Sequence, residues 1–286
     1  MARPIVKWVG GKAQLLDDLL PLFPRRIKTY FEPFIGGGAC FFTLAAEGRF
    51  EHAVINDWNK ELTDTYRVVR DFPDELMAML KDRERAYAES PEAMFHTWRS
   101  MDPKTIDNPV VRAARFIFLN KAGFNGLYRV NKKGEFNAPW GQEPTVRTFE
   151  PDNIADANFL LNWKTTILTG DFEEAIATAS AGDFVYFDPP YVEVSETSDF
   201  TSYTAEGFGM EDQKRLYRRF KKLYQLGVYA IISNSDSPVL REMFAEFEIH
   251  EVDAKRNINS KGEGRGPVKE LLIVSRLASA GSTVIV

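Results

Sequence analysis

One cysteine, Cys40, and three scattered histidines, His52, His96 and His250, are all that this 286-residue chain holds of the softer metal ligands. A lone thiol closes no internal disulfide, and histidines without metal-ligand spacing build no zinc site. A disulfide scaffold is excluded, no metal is expected, and a zinc base deaminase is ruled out for want of its His-x-Glu and Cys-x-x-Cys set. Cys40 reads as core filler rather than nucleophile. Long apolar runs are missing too. No window approaches the ~18 apolar residues of a membrane helix, and Lys7 and Lys12 precede any hydrophobic stretch, so neither a span nor a secretory signal is expected. What is present, 44% hydrophobic, 13% aromatic and 27% charged residues, excludes fibrous and disordered classes and lets a chain of this length bury a substantial core. One large domain with an insertion, or two domains, would account for the length. A reducing cytoplasm is the expected location, with the protein monomeric in solution.

The formal net charge of −5 speaks as a sum against a polyanionic partner, but its distribution matters more. From Arg112 to Lys133 stand Arg112, Arg115, Lys121, Arg129, Lys132 and Lys133 with no Asp or Glu among them, while acid gathers elsewhere, from Asp71 to Glu92. Lys214, Arg215, Arg218, Arg219 and Lys222 recur at helical spacing opposite Leu216, Phe220 and Leu223, the pattern of a solvated helix face. Lys255, Arg256, Lys261 and Arg265 lie in a Gly-rich loop suited to a phosphate backbone.

Along the chain, Tyr30-Phe31 begins a strand that runs into Gly36-Gly37-Gly38 and an apolar helix from Cys40 to Ala46; a second strand, Ala53 to Ile55, ends at Asn56-Asp57. A glycine turn followed by an acid about 20 residues on is expected where backbone approaches a nucleotide and a carboxylate takes ribose hydroxyls. From Lys60 to about Trp163 strand signals are sparse. Leu62, Tyr66 and Val69 keep helical spacing, Phe72-Pro73 breaks it, and helical patterns return at Glu75 to Ala86 and Val110 to Asn120. Strands resume at Thr166 to Leu168, Phe184 to Phe187, Val228 to Ser233, Ile249 to Val252 and Leu271 to Val274, joined by helices at Phe172 to Thr178, Met210 to Leu226 and Pro238 to Phe247. The alternation predicts an α/β fold with a mostly parallel sheet, interrupted by a helical, polar insertion. There is no internal repeat, and the small-residue tail from Ala278 reads as frayed.

Asp188-Pro189-Pro190-Tyr191 closes the buried run Phe184 to Phe187. Two prolines remove two backbone donors and hold the chain extended, leaving a carboxylate and loop carbonyls as acceptors beside an aromatic face. Such a cluster suits a planar amino group, for instance the exocyclic amine of a base whose ring stacks on Tyr191; a plain surface turn is the other reading. Lys7-Trp8-Val9-Gly10-Gly11-Lys12 sets an indole and two ammonium groups about a flexible turn, and Glu32-Pro33-Phe34-Ile35-Gly36-Gly37-Gly38 adds a carboxylate, an aromatic and close backbone approach. Asp57, Gly170-Asp171-Phe172 and Asp188 should share that sheet edge. Taken singly, each carboxylate reads equally as a helix cap. Together they suit a cationic, adenine-bearing cofactor without a pyrophosphate, the description of S-adenosylmethionine.

Lys7-Trp8-x-Gly10-Gly11-Lys12, Glu32-Pro33-Phe34-x-Gly36-x-Gly38, Asn56-Asp57-x-Asn59, Phe124-Asn125-Gly126-Leu127-Tyr128-Arg129 with Phe136-Asn137, and Asp188-Pro189-Pro190-Tyr191 stand in the order found in the Dam family. From about residue 4 to 275 the chain resembles an alpha-group, D12-class DNA adenine-N6 methyltransferase, and Thr197 to Tyr203 and Ser233-Asn234-Ser235-Asp236 extend the similarity. The resemblance implies a Rossmann-like, class I methyltransferase fold with a seven-stranded sheet. Residues 1–60 and 164–286 would bind S-adenosylmethionine, and 61–163 would form a helical target-recognition domain with a hairpin near 124–137. By the same resemblance Asp188, Pro189, Pro190 and Tyr191 are catalytic. Trp8, Lys12, Glu32, Phe34, Gly36, Gly38, Asp57, Asp171, Phe172 and Asp188 bind the cofactor, with Asp57 on the ribose and Asp171 and Phe172 on its adenine. The resemblance implies further that Lys7, Phe124, Asn125, Leu127, Arg129 and Asn137 meet double-stranded DNA, with Arg129 reading a guanine, Phe124 and Asn125 filling the gap left by a flipped adenine, and GATC as the expected site. The residues themselves also read Leu127 to Val130 and Glu135 to Asn137 as two short strands about Asn131 to Gly134, and leave a core aromatic as the alternative for Phe124. Restriction-modification, phage and regulatory roles are equally open. So are a cytosine-N4 methyltransferase and a catalytically inactive DNA-binding protein; a nicotinamide oxidoreductase leaves the Asp188 loop and the basic hairpin unexplained.

Overall fold

A computed structural model describes residues 2–131, 133–162, 164–191, 208–254 and 268–277. Lys132, Thr197 to Tyr203, the loop carrying Lys255, Arg256, Lys261 and Arg265, and the tail from Ala278 lie outside the described residues. In chain order the elements are α1 (Leu16–Leu19), β1 (Ile27–Glu32), α2 (Ala39–Ala46), β2 (Phe50–Ile55), α3 (Lys60–Asp71), α4 (Pro73–Glu89), α5 (Pro91–Ser100), α6 (Pro109–Ala122), α7 (Pro151–Asn162), β3 (Thr165–Ile167), α8 (Phe172–Ala175), β4 (Phe184–Phe187), α9 (Met210–Gln225), β5 (Tyr229–Ser235), α10 (Pro238–Met243), β6 (Phe247–Ala254) and β7 (Val268–Leu277).

Seven strands form one sheet in the order β3-β2-β1-β4-β5-β7-β6. The first five pair in parallel, and β7 is antiparallel to both its neighbours. This is the α/β methyltransferase arrangement expected. Side chains alternate across the pleat: Tyr30, Phe184, Tyr186, Ile231, Leu272 and Val274 join one buried cluster, and Phe31, Val185, Phe187, Ala230, Ile232, Leu271 and Ile273 join the other. The first face is covered by α2 and by the helices between β2 and β3, through Phe41, Tyr66, Leu76, Phe95 and Phe116. The second is covered by α9 through Leu216, Phe220 and Leu223 and by α10 through Leu240. Burial on both faces explains why β4 carries no charged residue.

Local signals set the helix starts. Asn59 and Asn108 accept from the backbone N–H of Leu62 and Val110, and Pro73, Pro91 and Pro109 occupy first turns where no amide donor is needed. The break foreseen at Phe72-Pro73 is the junction of α3 and α4. Helices α5 and α7 add to the helical patterns read in the insertion; both carry short buried sets, Phe95 with Trp98 and Ile154 with Ala157, Leu160 and Leu161. Two expectations need correction. The helix expected to reach Phe247 stops at Met243, because Phe247 already opens β6. Among the described residues the recognition segment has no continuous two-stranded ladder, only isolated antiparallel bridges between Val130 and Phe136 and between Gly123 and Trp140. The turn is there, closed by Gly134 N–H donating to Asn131 O (2.9 Å), but Asn131 Oδ1 itself takes the N–H groups of Lys133 and Glu135, which a ladder would have used otherwise. Among the described residues no helix is long and apolar enough to cross a membrane.

Candidate active site

The strand order reverses between β1 and β4, so the loops after them part and leave a crevice at the C-terminal edge. Asn56 staples this edge. Its buried side-chain amide donates to Pro33 O (3.0 Å) and Gly170 O (2.9 Å), tying together the loops after β1, β2 and β3. Asp57 continues the same clamp: its carboxylate accepts from Gly36 N–H (3.1 Å) and Asn59 N–H (2.9 Å). Burial pushes the Asp57 carboxyl up to about 6, against the pull of those two N–H groups. Beside it Trp58 presents an indole that is 63% exposed, at the position that the motif Asn56-Asp57-x-Asn59 leaves unspecified.

Gly36 is where a side chain cannot be. Its φ is 47°, and a Cβ there would lie 2.7 Å from Cδ1 of Trp8; only glycine lets the main chain pass beneath that indole. Tyr66 OH on α3 donates to Gly36 O (2.8 Å), and Gly38 supplies the left-handed N-cap of α2. Trp8, Gly36, Gly38 and Asp57 thus form one continuous wall.

Asp188 stands across the crevice in a compact polar cluster. Its Oδ1 accepts from Lys12 Nζ (2.7 Å) and Ser233 Oγ (3.0 Å), and Ser233 in turn pairs with Tyr186 OH (2.9 Å). Lys12 is 4% exposed, its Nζ also donates to Gly10 O (2.8 Å), and it lies 4.8 Å from the centre of the Tyr191 ring. Burial raises the Asp188 carboxyl, opposed by the ammonium and the serine hydroxyl. Burial also pulls Lys12 down, but Asp188 and Glu270 outweigh it and hold the ammonium above its usual value. Pro189 is buried and Pro190 exposed. Tyr191 OH donates to Glu270 Oε2 (2.7 Å), an acid that appears in none of the motifs.

The remaining cofactor candidates are placed differently. Glu32 is buried under the crevice, bonded by Tyr30 OH (2.8 Å), and burial raises its carboxyl well above the carboxylate range; it belongs to the floor. Asp171 caps α8 through Glu173 N–H and receives a two-pronged bond from Arg215 Nη2 (2.9 and 2.8 Å). The cap reading therefore describes Asp171, and the α9 basic stripe is partly spent on Asp171, Glu173 and Asp212. Phe172 is 4% exposed, covered by the Arg215 guanidinium at 5.0 Å and stacked on Phe34 at 5.4 Å, with Phe208 at the edge.

The N-terminal segment is latched to the recognition segment by Asn120, a buried residue near the end of α6. Asn120 Oδ1 accepts from Lys7 N–H (2.8 Å), while its amide donates to Lys7 O (2.8 Å) and Gly126 O (2.9 Å). Gly126 has φ 69°, and a Cβ there would meet Lys7 Cδ at 2.3 Å. At the tip Phe124 is 50% exposed, so it is no core aromatic, and Asn125 takes a left-handed φ of 56°. Leu127 turns inward against the core. The exposed Arg129 guanidinium is held by Asn137, with Nε donating to its Oδ1 (2.8 Å) and Nη2 to its O (2.9 Å). Asn137 thus aims a fork rather than leaving it loose. Between these outward residues Tyr128 points in, stacking on Trp8 (5.5 Å) and donating to Glu61 Oε1 (3.0 Å), whose other oxygen meets Arg115 (3.3 Å). Arg115 is 2% exposed and also donates to Trp98 O and Arg99 O. It therefore leaves the basic run counted from sequence, since its charge is consumed inside.

A model of the D12 class N6 adenine-specific DNA methyltransferases matches residues 8–258 of the chain. Type II methyltransferase M1.LlaDCHI of Lactococcus lactis subsp. cremoris is 44% identical over 277 residues, covering 96% of this chain and 95% of that protein. Type II methyltransferase M.MjaIII of Methanocaldococcus jannaschii is 39% identical over 287 residues, with 96% and 99% covered. The DNA adenine methylase of Salmonella typhi is 32% identical over 270 residues, with 94% of each chain covered.

Proposed function

Because the chain belongs to the D12 class N6 adenine-specific DNA methyltransferases and is an enzyme that methylates adenine in DNA, we propose that it takes the methyl group from S-adenosylmethionine and acts on an adenine rotated out of duplex DNA, within GATC. The observation that carries this reading is the crevice between the β1 and β4 loops, with the Trp8, Gly36 and Asp57 wall on one side and Asp188 with Tyr191 on the other.

The donor set supports an adenosyl sulfonium. Asp57 offers its carboxylate to ribose hydroxyls, the turn at Gly36 leaves main chain open where a Cβ would collide with Trp8, and Trp58 supplies a flat exposed face. A pyrophosphate would need free cations, and Lys12 is already bound to Asp188. When bound, the cofactor supplies an electrophilic methyl group. The protein's part is positioning. An adenine amino group is a poor nucleophile because its lone pair is spread into the ring; acceptance of its N–H bonds by Asp188 and the Pro189 carbonyl localises electron density on nitrogen. Lys12 and Ser233 keep the Asp188 carboxylate anionic and oriented for that task, and the phenol of Tyr191 gives the ring a face to stack on. The proton released from nitrogen passes to solvent or through Asp188.

Residues 61–163 are assigned to target recognition, resting on α3 and α7, whose side chains bond to sheet loops through Tyr66 and to each other through Asn158. Arg129, pre-aimed by Asn137, reads a guanine by a two-pronged bond. Phe124 and Asn125 enter the duplex where the adenine leaves, Leu127 supports them from within, and Lys7 reaches an edge of the site from the segment latched by Asn120. A cytoplasmic location goes with that substrate. Plasmid recovered from a cell expressing the protein tests the sequence: it should resist a nuclease blocked by GATC methylation and still be cut by one indifferent to it. Full cleavage by both would exclude GATC.

A further inference from the structure

We propose that Glu270 is a positioning residue of the methyl-transfer site, fixing the Tyr191 ring through its hydroxyl; this rests on the functional reading above. Glu270 reaches the site because β7 runs against the rest of the sheet. Its N-terminal end lies at the edge where the parallel strands finish, with Glu270 directly opposite Ser235, two residues past Ser233. Along β7 the residues sharing its face are Leu272 and Val274, both buried in the core. Glu270 is buried as well, at 9% exposure. A carboxylate continuing an apolar row is costly to bury, and ion pairs inside a protein are weak contributors to stability.

Two contacts of its carboxylate point into the crevice cluster. Oε2 accepts from Tyr191 OH at 2.7 Å and lies 3.8 Å from Lys12 Nζ. Lys12 is 2.7 Å from Asp188 Oδ1 and 4.8 Å from the centre of the Tyr191 ring. Glu270, Tyr191 and Lys12 therefore close a ring of contacts, to which Asp188 is joined through Lys12. The two prolines hold the backbone up to Tyr191 but leave its side-chain torsions free. The bond at the far end of the phenol removes that freedom, and with it the entropy a stacking base would otherwise have to overcome.

The test uses the full chain as Glu270→Ala, Glu270→Gln, Tyr191→Phe and the Glu270→Ala/Tyr191→Phe double variant. Each is assayed for kcat and KM on a duplex with one target site, and for the fluorescence of a duplex carrying 2-aminopurine at the target adenine. Loss of the charged hydrogen bond in Glu270→Ala should lower kcat/KM by ~10-fold or more and alter the 2-aminopurine signal, which reports how the extruded base is stacked. Glu270→Gln still offers a carbonyl to the phenol and should recover most of both. The double variant should be no worse than Glu270→Ala, because both changes break one bond. Should Glu270→Ala not fold, Glu270→Gln against Tyr191→Phe carries the comparison: activity near wild type in the first and reduced in the second is expected. Unchanged kcat/KM and fluorescence in Glu270→Ala, Glu270→Gln as impaired as Tyr191→Phe, or a double variant whose losses multiply would overturn the proposal. Wild-type protein that methylates a base other than adenine would overturn the functional reading while the same cycle still judged Glu270; wild-type protein that methylates nothing would overturn both.

Discussion

Acidifying the solution should weaken S-adenosylmethionine binding through Asp57, by an amount set by its surroundings. The carboxyl sits at about 6 because burial penalises its charge more than the N–H groups of Gly36 and Asn59 favour it. The sign is that of a raised carboxyl: the carboxylate prevails above pH 6 and is lost as pH falls through it. Ribose hydroxyls donating to both Asp57 oxygens need the ionised form. With a midpoint near 6 the ionised fraction is ~0.9 at pH 7 and ~0.1 at pH 5, so the apparent Kd should rise ~10-fold, or ~1.4 kcal/mol. An unperturbed aspartate would lose less than ~10% of its ionised population over the same interval. Calorimetric titration of the cofactor between pH 8 and pH 5 measures the slope directly. Repeating it near pH 5.5 in buffers of different ionisation enthalpy should reveal ~0.8 proton released per cofactor bound. Asp57→Asn should bind more weakly and lose the slope, which separates Asp57 from the buried Glu32 and Asp188. A wild-type Kd flat from pH 7 to pH 5, or a slope retained in Asp57→Asn, refutes the reasoning.

Three substitutions probe the rest of the site. Asp188→Ala should stay folded by circular dichroism yet turn over at least ~100-fold more slowly, the scale of losing a preorganised polar contact; near-normal methylation would remove Asp188 from the chemistry. Arg129→Ala should cost ~1–3 kcal/mol of discrimination at one base pair, read from methylation of duplexes altered one position at a time, whereas equal weakening on every duplex would recast Arg129 as a phosphate contact. Asn120→Ala strands the Lys7 main chain and Gly126 O in a buried place, so thermal unfolding should report a loss of ~1–3 kcal/mol; an unchanged melting temperature would mean that the latch contributes nothing.

What the sequence discloses about this site depends on where each residue stands relative to a strand end. Asp57 and Asp188 are legible because each stands within two residues of the end of an apolar run, and the parallel alternation places such ends on one edge. Glu270 is not, because nothing in a short strand's composition tells which way it runs, and only the antiparallel pairing with β5 brings its first residues to the crevice. The basic run from Arg112 to Lys133 is legible as charge but not as surface. Arg115 lies on the inward side of α6 and is consumed by Glu61, an acid more than fifty residues earlier. Asn120 gives no signal among the apolar residues of α6, since its partners are main-chain groups of Lys7 and Gly126. Asp171 shows the opposite case: one carboxylate after a strand that reads as ligand or cap and that the fold uses as a cap, with Arg215 of α9 on its oxygens.

The central proposal is that the crevice joins a methyl donor to the amino group of adenine. Its most direct test is mass analysis of the nucleosides from a GATC-containing duplex incubated with purified protein and S-adenosylmethionine. N6-methyladenine, absent from the same duplex with its GATC adenines replaced, is the predicted product. N4-methylcytosine, or no methylated nucleoside at all, would contradict it.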